Sequence, residues 1–282
     1  MKNLRRVIAI AVTGVILSGN LRAQDVKLPS ASPGQTITQE FALSTISLNY
    51  SRPAMKGRQI FGDLVPFGQI WRTGANSPTK IKFGEAVSIN GKAVPAGEYA
   101  LYSIPSKNEW TFILSKKLSL WGSMGYQEAD DLMRFSAKPQ ELPFNIENFT
   151  ILFGNQSANS VDVQLLWANV SVSFTVKADI DNRILSSLDA AMKGDKKPYF
   201  QAATYYYEKG LDLDKAANWA DEAVKAQPDA YWVEHLKAKI LLKRGDRRGA
   251  IAAAQSSMKK AESQKNPDYV ALNKKLIAEA NK

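Results

Sequence analysis

The chain contains no cysteine and only one histidine, His235. Without cysteine the protein can form no disulfide, carries no lipid on a cysteine and has no thiol nucleophile. A zinc site built on histidine needs a second histidine or a cysteine, so that class of site is excluded. A Ser-His-Asp triad would have to recruit His235 from another domain, which disfavours that chemistry. We expect His235 to be a surface or packing residue.

Common catalytic motifs are also missing. The sequence has no Gly-x-Ser-x-Gly nucleophile elbow and no Gly-x-x-x-x-Gly-Lys-Ser/Thr phosphate loop. Carboxylate acid–base chemistry stays open, although no carboxylate pair is visible. Its candidates are Asp63, Glu85, Glu98 and Asp130-Asp131. We predict no cofactor. We assign no metal ligand, because a metal site made of oxygen ligands alone leaves little trace in a sequence.

The apolar run at the N-terminus, residues 7–17, is too short to span a bilayer. It follows the basic residues Lys2, Arg5 and Arg6 and precedes small polar residues and then Ala23. This order predicts a signal peptide over residues 1–23, cleaved near Ala23; a retained membrane anchor is the alternative. Export without disulfides favours the periplasm, with no stable membrane anchor after cleavage.

Excess charge is confined to the last third of the mature chain. The whole chain carries +10 at pH 7. Residues 24–182 contain 14 basic and 14 acidic residues, whereas residues 183–282 contain 19 basic and 13 acidic ones. The lysines there are dispersed among acids, with one local basic cluster at residues 243–248. This pattern is typical of a solvated helical face, so we predict no nucleic-acid partner.

Apolar and polar residues alternate with period two between residues 35 and 177, which is typical of half-buried strands. Asn90-Gly91 is a strong hairpin signal, because both central residues of a type I′ turn need positive φ. No amphipathic helix lies between the strands, which disfavours a parallel α/β sheet. We therefore predict an antiparallel β-sandwich, jelly-roll-like, over residues 32–177. The expected strands include residues 36–41, 46–50, 86–89, 98–104, 110–114, 132–137, 149–153, 161–167 and 170–176.

Alanine becomes frequent after a short linker at residues 178–182, and residues 183–282 are predicted to be helical. Gly210 and Gly245 lie 35 residues apart, and Ala216 and Ala250 lie 34 apart. This spacing resembles the tetratricopeptide family, at about two and a half repeats. The aromatic residues of this region either pack between helices or line a groove for a protein or peptide partner. The expected helices are residues 183–193, 198–209, 213–226, 230–244, 248–262 and 267–281.

The segment from Tyr50 to Asn76 is too rich in glycine and proline to be a helix, and it carries most of the candidate site. Its arginines offer planar donor groups that suit carboxylates and phosphates. Trp71 with Phe61 and Phe67 could form an apolar wall. The predicted ligand-binding residues are Arg52, Arg58, Asp63, Trp71, Arg72 and Asn76. The alternative is structural, because ion pairs and backbone-capping arginines also hold glycine-rich loops in shape.

Three groups of residues carry a resemblance to a known family. They are Ser51-Arg52-Pro53 with the run from Gly57 to Asn76, Pro95-Ala96-Gly97-Glu98-Tyr99-Ala100-Leu101, and Glu109-Trp110-Thr111 with Trp121-Gly122. Over about residues 32–176 the chain closely resembles an exported bacterial family called domain of unknown function 2911. A helical tail like that of this chain is common in the longer members of the family. The resemblance supports export and the domain layout, and it implies no activity. The chain has Phe67 where the family often has tyrosine.

Three hypotheses for function follow. The first is a periplasmic binding or accessory protein, whose β domain holds a small polar or anionic ligand and whose helical tail docks a protein partner. The second is a hydrolase or isomerase that uses Asp63 with arginine stabilisation of negative charge; it requires Asp63 to lie in a concave pocket. The third is an envelope scaffold in which the arginines only stabilise the sandwich.

Overall fold

A computed structural model describes residues 28–282 of the protein. The predicted signal peptide lies outside the described residues. Ten strands are followed by six α-helices, which confirms the predicted order of the two regions. The strands are Gly34–Phe41 (β1), Ser44–Ser51 (β2), Thr79–Phe83 (β3), Val87–Ile89 (β4), Lys92–Val94 (β5), Gly97–Ile104 (β6), Trp110–Ser115 (β7), Asp131–Ala137 (β8), Pro139–Gly154 (β9) and Ser160–Lys177 (β10).

The strands form two antiparallel sheets. One has six strands in the order β1-β2-β3-β6-β7-β8, and the other has four in the order β5-β4-β10-β9. The large sheet is a meander, interrupted once where the β4–β5 hairpin joins the second sheet. This order differs from that of a jelly roll, in which successive strands alternate between sheets. Asn90 and Gly91, with φ of 50° and 76°, form the predicted hairpin turn.

The hydrophobic core lies between the two sheets. In β2, Ile46, Leu48 and Tyr50 are buried at alternate positions, as the period-two pattern requires. Aromatic side chains from both sheets fill the centre, including Trp110 and Phe112 of β7 and the buried Phe149 of β9. This apolar burial stabilises the sandwich without disulfides.

Several features of the sheets differ from the sequence prediction. β9 begins at Pro139, ten residues before its predicted start, and β5 was not predicted. Residues 161–167 and 170–176 were expected to be separate strands, but they form one strand, β10, with register shifts on both sides of Ala168. Ala168 has a φ of 50°, so the chain bulges there and then resumes pairing with β9. The alternation breaks at this bulge although the strand continues. β3 was not predicted, because it is short and directly follows the glycine-rich segment.

The helical region contains α1 to α6, and its boundaries lie within a few residues of those predicted. Gly210 and Gly245 end α2 and α4 in the left-handed conformation. Asp212 and Asp246 then cap α3 and α5 by accepting hydrogen bonds from Lys215 N and Gly249 N. The 34-residue spacing thus corresponds to two helix–helix turns built in the same way. The helices are Asp181–Ala191 (α1), Tyr199–Lys209 (α2), Leu213–Ala226 (α3), Tyr231–Arg244 (α4), Arg247–Ser263 (α5) and Pro267–Ala280 (α6).

The first helix is attached to the sandwich. Ile180 is buried in the sandwich core and Ile184 packs against that core. Arg183 forms a salt bridge with Glu85, a buried carboxylate that also accepts a hydrogen bond from Leu43 N at 3.0 Å. Asp181 in turn accepts a hydrogen bond from Tyr205 of α2.

Across residues 28–282, no helix combines the length and the hydrophobicity needed to cross a membrane.

Candidate functional site

The glycine-rich segment that links β2 to β3 is fixed to the end of the sandwich. Ala54 pairs with Asn148, and Trp71 exchanges two backbone hydrogen bonds with Ser103, at 2.8 and 2.9 Å. Thr73, buried in the same segment, shares a hydrogen bond with the Ser103 hydroxyl. The segment is therefore an ordered loop on a rigid scaffold, which is a common place for a binding site.

Trp71 belongs to the core of the sandwich. Only 9% of it is exposed, and its indole stacks on Trp167, with 5.8 Å between the ring centroids. The indole N–H donates to Gly74 O at 3.0 Å. Phe61 also packs into this aromatic cluster, whereas Phe67 is 37% exposed. The three aromatic rings therefore do not form one wall, because Trp71 and Phe61 pack into the core and Phe67 alone of the three is exposed.

Two of the three arginines hold the loop in shape. Arg52 donates from Nε to Phe149 O at 3.1 Å and from Nη2 to the Thr150 hydroxyl at 2.8 Å, which ties the loop to β9. Arg58 donates to the carbonyls of Met55 and Ala54, at 2.9 and 2.6 Å. These hydrogen bonds cap backbone acceptors, so both side chains serve the framework.

Asn76 also holds the backbone of the loop in place through hydrogen bonds. Its side-chain amide donates to Ser32 O and to the Ser51 hydroxyl, at 3.3 and 3.2 Å. The backbone carbonyl of Asn76 accepts a hydrogen bond from Gly122 N at 3.2 Å. Asn76 therefore connects the loop to the start of β1 and to the segment that follows β7. A positive φ of 58° suits asparagine at this position.

Asp63 lies at the exposed tip of the loop. Its carboxylate forms no salt bridge with any of the described residues. It does not line either of the two cavities that border the loop. Neither cavity therefore contains Asp63, whereas the enzyme hypothesis requires Asp63 to lie in a concave pocket.

Arg72 differs from the other two arginines. It is half-buried, and its Nε is shielded from solvent without a hydrogen-bond partner among residues 28–282. No carboxylate of those residues forms a salt bridge with it. Buried donors without partners are rare, and one on a cation calls for a specific explanation.

A small cavity of about 170 Å³ borders Arg72. It is lined by residues 64–66, residues 69–72 and Ser123. Gly122 forms part of the Arg72 environment, because a Cβ on this glycine would lie 2.7 Å from Arg72 Nη1. The φ of Gly122 is also positive, at 66°, so glycine suits this position for two reasons. The cavity offers a guanidinium and the Ser123 and Gln69 side chains to a group of carboxylate or phosphate size.

Comparison with protein families gives one match. Residues 32–176 match the family model described as "Protein of unknown function (DUF2911)". The chain belongs to this family. A comparison with curated proteins found no match, and a comparison with solved structures found none. The match covers the whole sandwich and stops before the first helix.

The DUF2911 domain has a second, larger cavity on the other side of the same loop. Its volume is about 360 Å³, and Phe61, Phe67 and Trp110 form its apolar part. Its polar side includes Glu141 and Asn169, which are joined by a hydrogen bond of 2.9 Å. Phe67 therefore lines this cavity and not the one beside Arg72.

Sequence reasoning missed part of both cavities. Asn169 follows the Ala168 bulge, which no simple alternation of residues reveals. Ser123 and Gly122 come from a segment distant in sequence from the loop. A usable signal for them was present, because Trp121-Gly122 belongs to the motifs by which the chain resembles its family.

The described part of the chain contains no cluster of side chains that could hold a metal ion. Residues 28–282 contain no group of three or more His, Asp or Glu side chains placed to hold an ion.

His235 lies in α4, and its Nδ1 is 2.7 Å from Asn273 Oδ1. Burial lowers the pKa of His235 below its ordinary value, and the nearby Lys239 lowers it further. His235 is thus half-buried, with its ring packed edge-on against Tyr269, and it borders a groove of the helical region.

Proposed function

We propose that the protein is a periplasmic binding or accessory protein whose DUF2911 domain binds a small anionic ligand through Arg72. Two further parts complete the proposal: the signal peptide directs export, and the tetratricopeptide-like helical region docks a protein partner. The observation that carries the ligand site is the half-buried Arg72, whose Nε has no hydrogen-bond partner in the described chain.

The surroundings of Arg72 limit the ligand. A cavity of about 170 Å³ admits a carboxylate, phosphate or sulfate group but encloses no large molecule. An anion there would supply the missing counter-charge, and charge-assisted hydrogen bonds to a guanidinium are the strong ones. We therefore expect a ligand that inserts one anionic group beside Arg72 and leaves its remainder near the exposed Leu64.

A thermal-shift screen of the mature protein tests the ligand site. Phosphate, sulfate, acetate, glucuronate and glutamate should be compared at constant ionic strength, because a ligand that binds only the folded state raises the Tm. A Tm increase that disappears in Arg72→Gln and persists in Arg58→Gln supports the site. Arg58 is the matched control, since it is an arginine of the same loop whose hydrogen bonds go to backbone carbonyls.

The scaffold hypothesis is the second candidate. The hydrogen bonds of Arg52, Arg58, Trp71 and Asn76 favour it, because all four stabilise the loop. It predicts that no anion raises the Tm and that Arg72→Gln lowers the stability of the domain as Arg52→Gln does. The same screen therefore separates the two candidates.

A further inference from the structure

The helical region contains a groove. Its volume is about 590 Å³, and it is lined by one side of α4 together with residues from α2, α6 and the start of α5. Leu242 and the buried Leu276 contribute its apolar surface, and Leu272, 45% exposed, lies at its edge. Its charged and aromatic lining consists of Tyr207, His235, Lys239, Lys243, Arg247, Lys275 and Glu279.

The charges of this groove are unbalanced. Four basic side chains line it, against the single carboxylate of Glu279. None of the four basic side chains forms a salt bridge with a residue in the range 28–282. Lys239 and Lys243 instead lie over the ring of Tyr207, each 4.8 Å from its centroid. The groove therefore has a positive potential that no described carboxylate neutralises.

The opposite side of α4 shows that this imbalance is local. There Lys237 pairs with Asp221 at 2.6 Å, and Arg244 pairs with Asp214 at 3.2 Å. Glu234 of the same side pairs with Lys260 at 2.6 Å. One helix thus carries a face whose charges are paired and a face whose cations have no carboxylate partner among the described residues, although Lys243 also donates to Tyr207 O at 2.8 Å. The lining of the groove carries a net charge of +3, which is half of the +6 of residues 183–282.

We propose that this groove binds an acidic peptide segment of a partner protein. The proposal rests on the partner-docking part of the proposed function and names the chemistry of that partner. Free lysines and an arginine attract carboxylates, and the leucines offer contacts to apolar side chains between them. A nucleic acid is disfavoured, because the ring of Tyr207 is covered by two ammonium groups and the half-buried His235 packs edge-on against Tyr269, which leaves little open aromatic surface for base stacking.

Fluorescence anisotropy with the full mature chain tests this proposal. The probe is a short fluorescein-labelled peptide of alternating glutamate and leucine. Its glutamine–leucine counterpart has the same apolar content without charge, and a labelled oligothymidylate tests for nucleic acid. We expect the glutamate peptide to bind, with an affinity that falls as salt is added, and the other two probes to bind at least about ten-fold more weakly.

A matched pair of variants locates the binding. Lys239→Glu with Lys275→Glu reverses two charges of the groove. Lys259→Glu with Lys274→Glu makes the same change in net charge at exposed lysines that do not line it. The first variant should weaken binding of the glutamate peptide by about ten-fold or more, and the second by less than about two-fold. Circular dichroism and the Tm verify that both variants fold.

The outcomes are distinct. Absence of binding to the glutamate peptide, equal weakening in the two variants, or tighter binding of oligothymidylate would each overturn the proposal. Arg72→Gln is measured beside them and should bind the peptide normally. A failure of the anion site in the DUF2911 domain would then appear in the thermal-shift screen alone, separate from a failure at the groove.

Discussion

The sandwich and the helical region use their basic residues differently. In the sandwich loop, Arg52 and Arg58 donate to backbone or hydroxyl oxygens and only Arg72 lacks a partner. In the helical region, lysines and arginines on one side of α4 pair with carboxylates, and those on the other side do not. In both regions the candidate site is centred on basic side chains that pair with no carboxylate of the described residues. Neighbouring basic side chains instead stabilise the framework. Charge counts alone do not make this distinction.

The largest expected effect on the free energy of unfolding comes from comparing two neighbouring residues, Trp71 of the framework and Arg72 of the candidate site. Trp71→Ala should lower the free energy of unfolding by about 3–5 kcal/mol, because it opens a cavity in a packed aromatic cluster. Arg72→Ala should have a far smaller effect. Chemical denaturation followed by tryptophan fluorescence measures both. Similar losses in the two variants would show that Arg72 belongs to the framework.

The next effect compares two arginines. Arg52→Met should lower the free energy of unfolding by about 1–3 kcal/mol, because the backbone and hydroxyl acceptors on β9 lose their charged donor. Arg72→Met should leave it unchanged or raise it by about 1 kcal/mol, because a shielded donor without a partner is removed. Urea titration measures both values. A larger loss for Arg72→Met than for Arg52→Met would reverse the assignment of their roles.

A smaller effect tests the connection between the two regions. Glu85→Ala should lower the free energy of unfolding by about 1–2 kcal/mol, because Leu43 N loses its acceptor and Arg183 loses its counter-ion. Glu98→Ala, at an exposed carboxylate of β6, is the control and should change it little. Limited proteolysis should cut the Glu85 variant faster near α1. Equal cutting rates in the two variants would contradict a stabilising role for the contact.

The smallest effect concerns pH. The pKa of His235 is lowered in the folded protein, mainly by burial, so the unfolded chain binds its proton more readily. The His235 contribution to stability is therefore fully present above the unfolded pKa of about 6.5 and is lost as the pH falls below it. Thermal unfolding between about pH 7.5 and pH 5 should show this fall. His235→Gln should reduce the slope; an unchanged slope would assign the fall to other groups.

Sequence patterns predicted the fold wherever a regular period holds. The alternation around Ile46 and the Asn90-Gly91 turn led to the correct strands, and Gly210 and Gly245 led to the correct helix ends. The bulge at Ala168 was missed, since one left-handed residue does not alter composition. Sheet order also depends on which strands meet across the sandwich, and local periodicity does not contain that information.

The candidate site was only partly predictable, for a related reason. The sequence pointed to the loop that carries Arg72, yet it could not distinguish Arg52 from Arg72, because the difference lies in acceptors from β9 that are distant in sequence. Trp71 likewise looked suitable for a ligand wall; it belongs to the core and also borders the cavity beside Arg72. Gly122 approaches Arg72 from beyond β7. Partners of this kind are decided by tertiary packing.

The most direct test of the central claim is calorimetric titration of the mature protein with the anion that gives the largest thermal shift, using wild type, Arg72→Gln and Arg58→Gln. We predict saturable binding at one site in wild type and Arg58→Gln, with none detectable in Arg72→Gln at the same fold stability. Saturable binding that Arg72→Gln retains unchanged would contradict the assignment of Arg72 as the anion-binding residue.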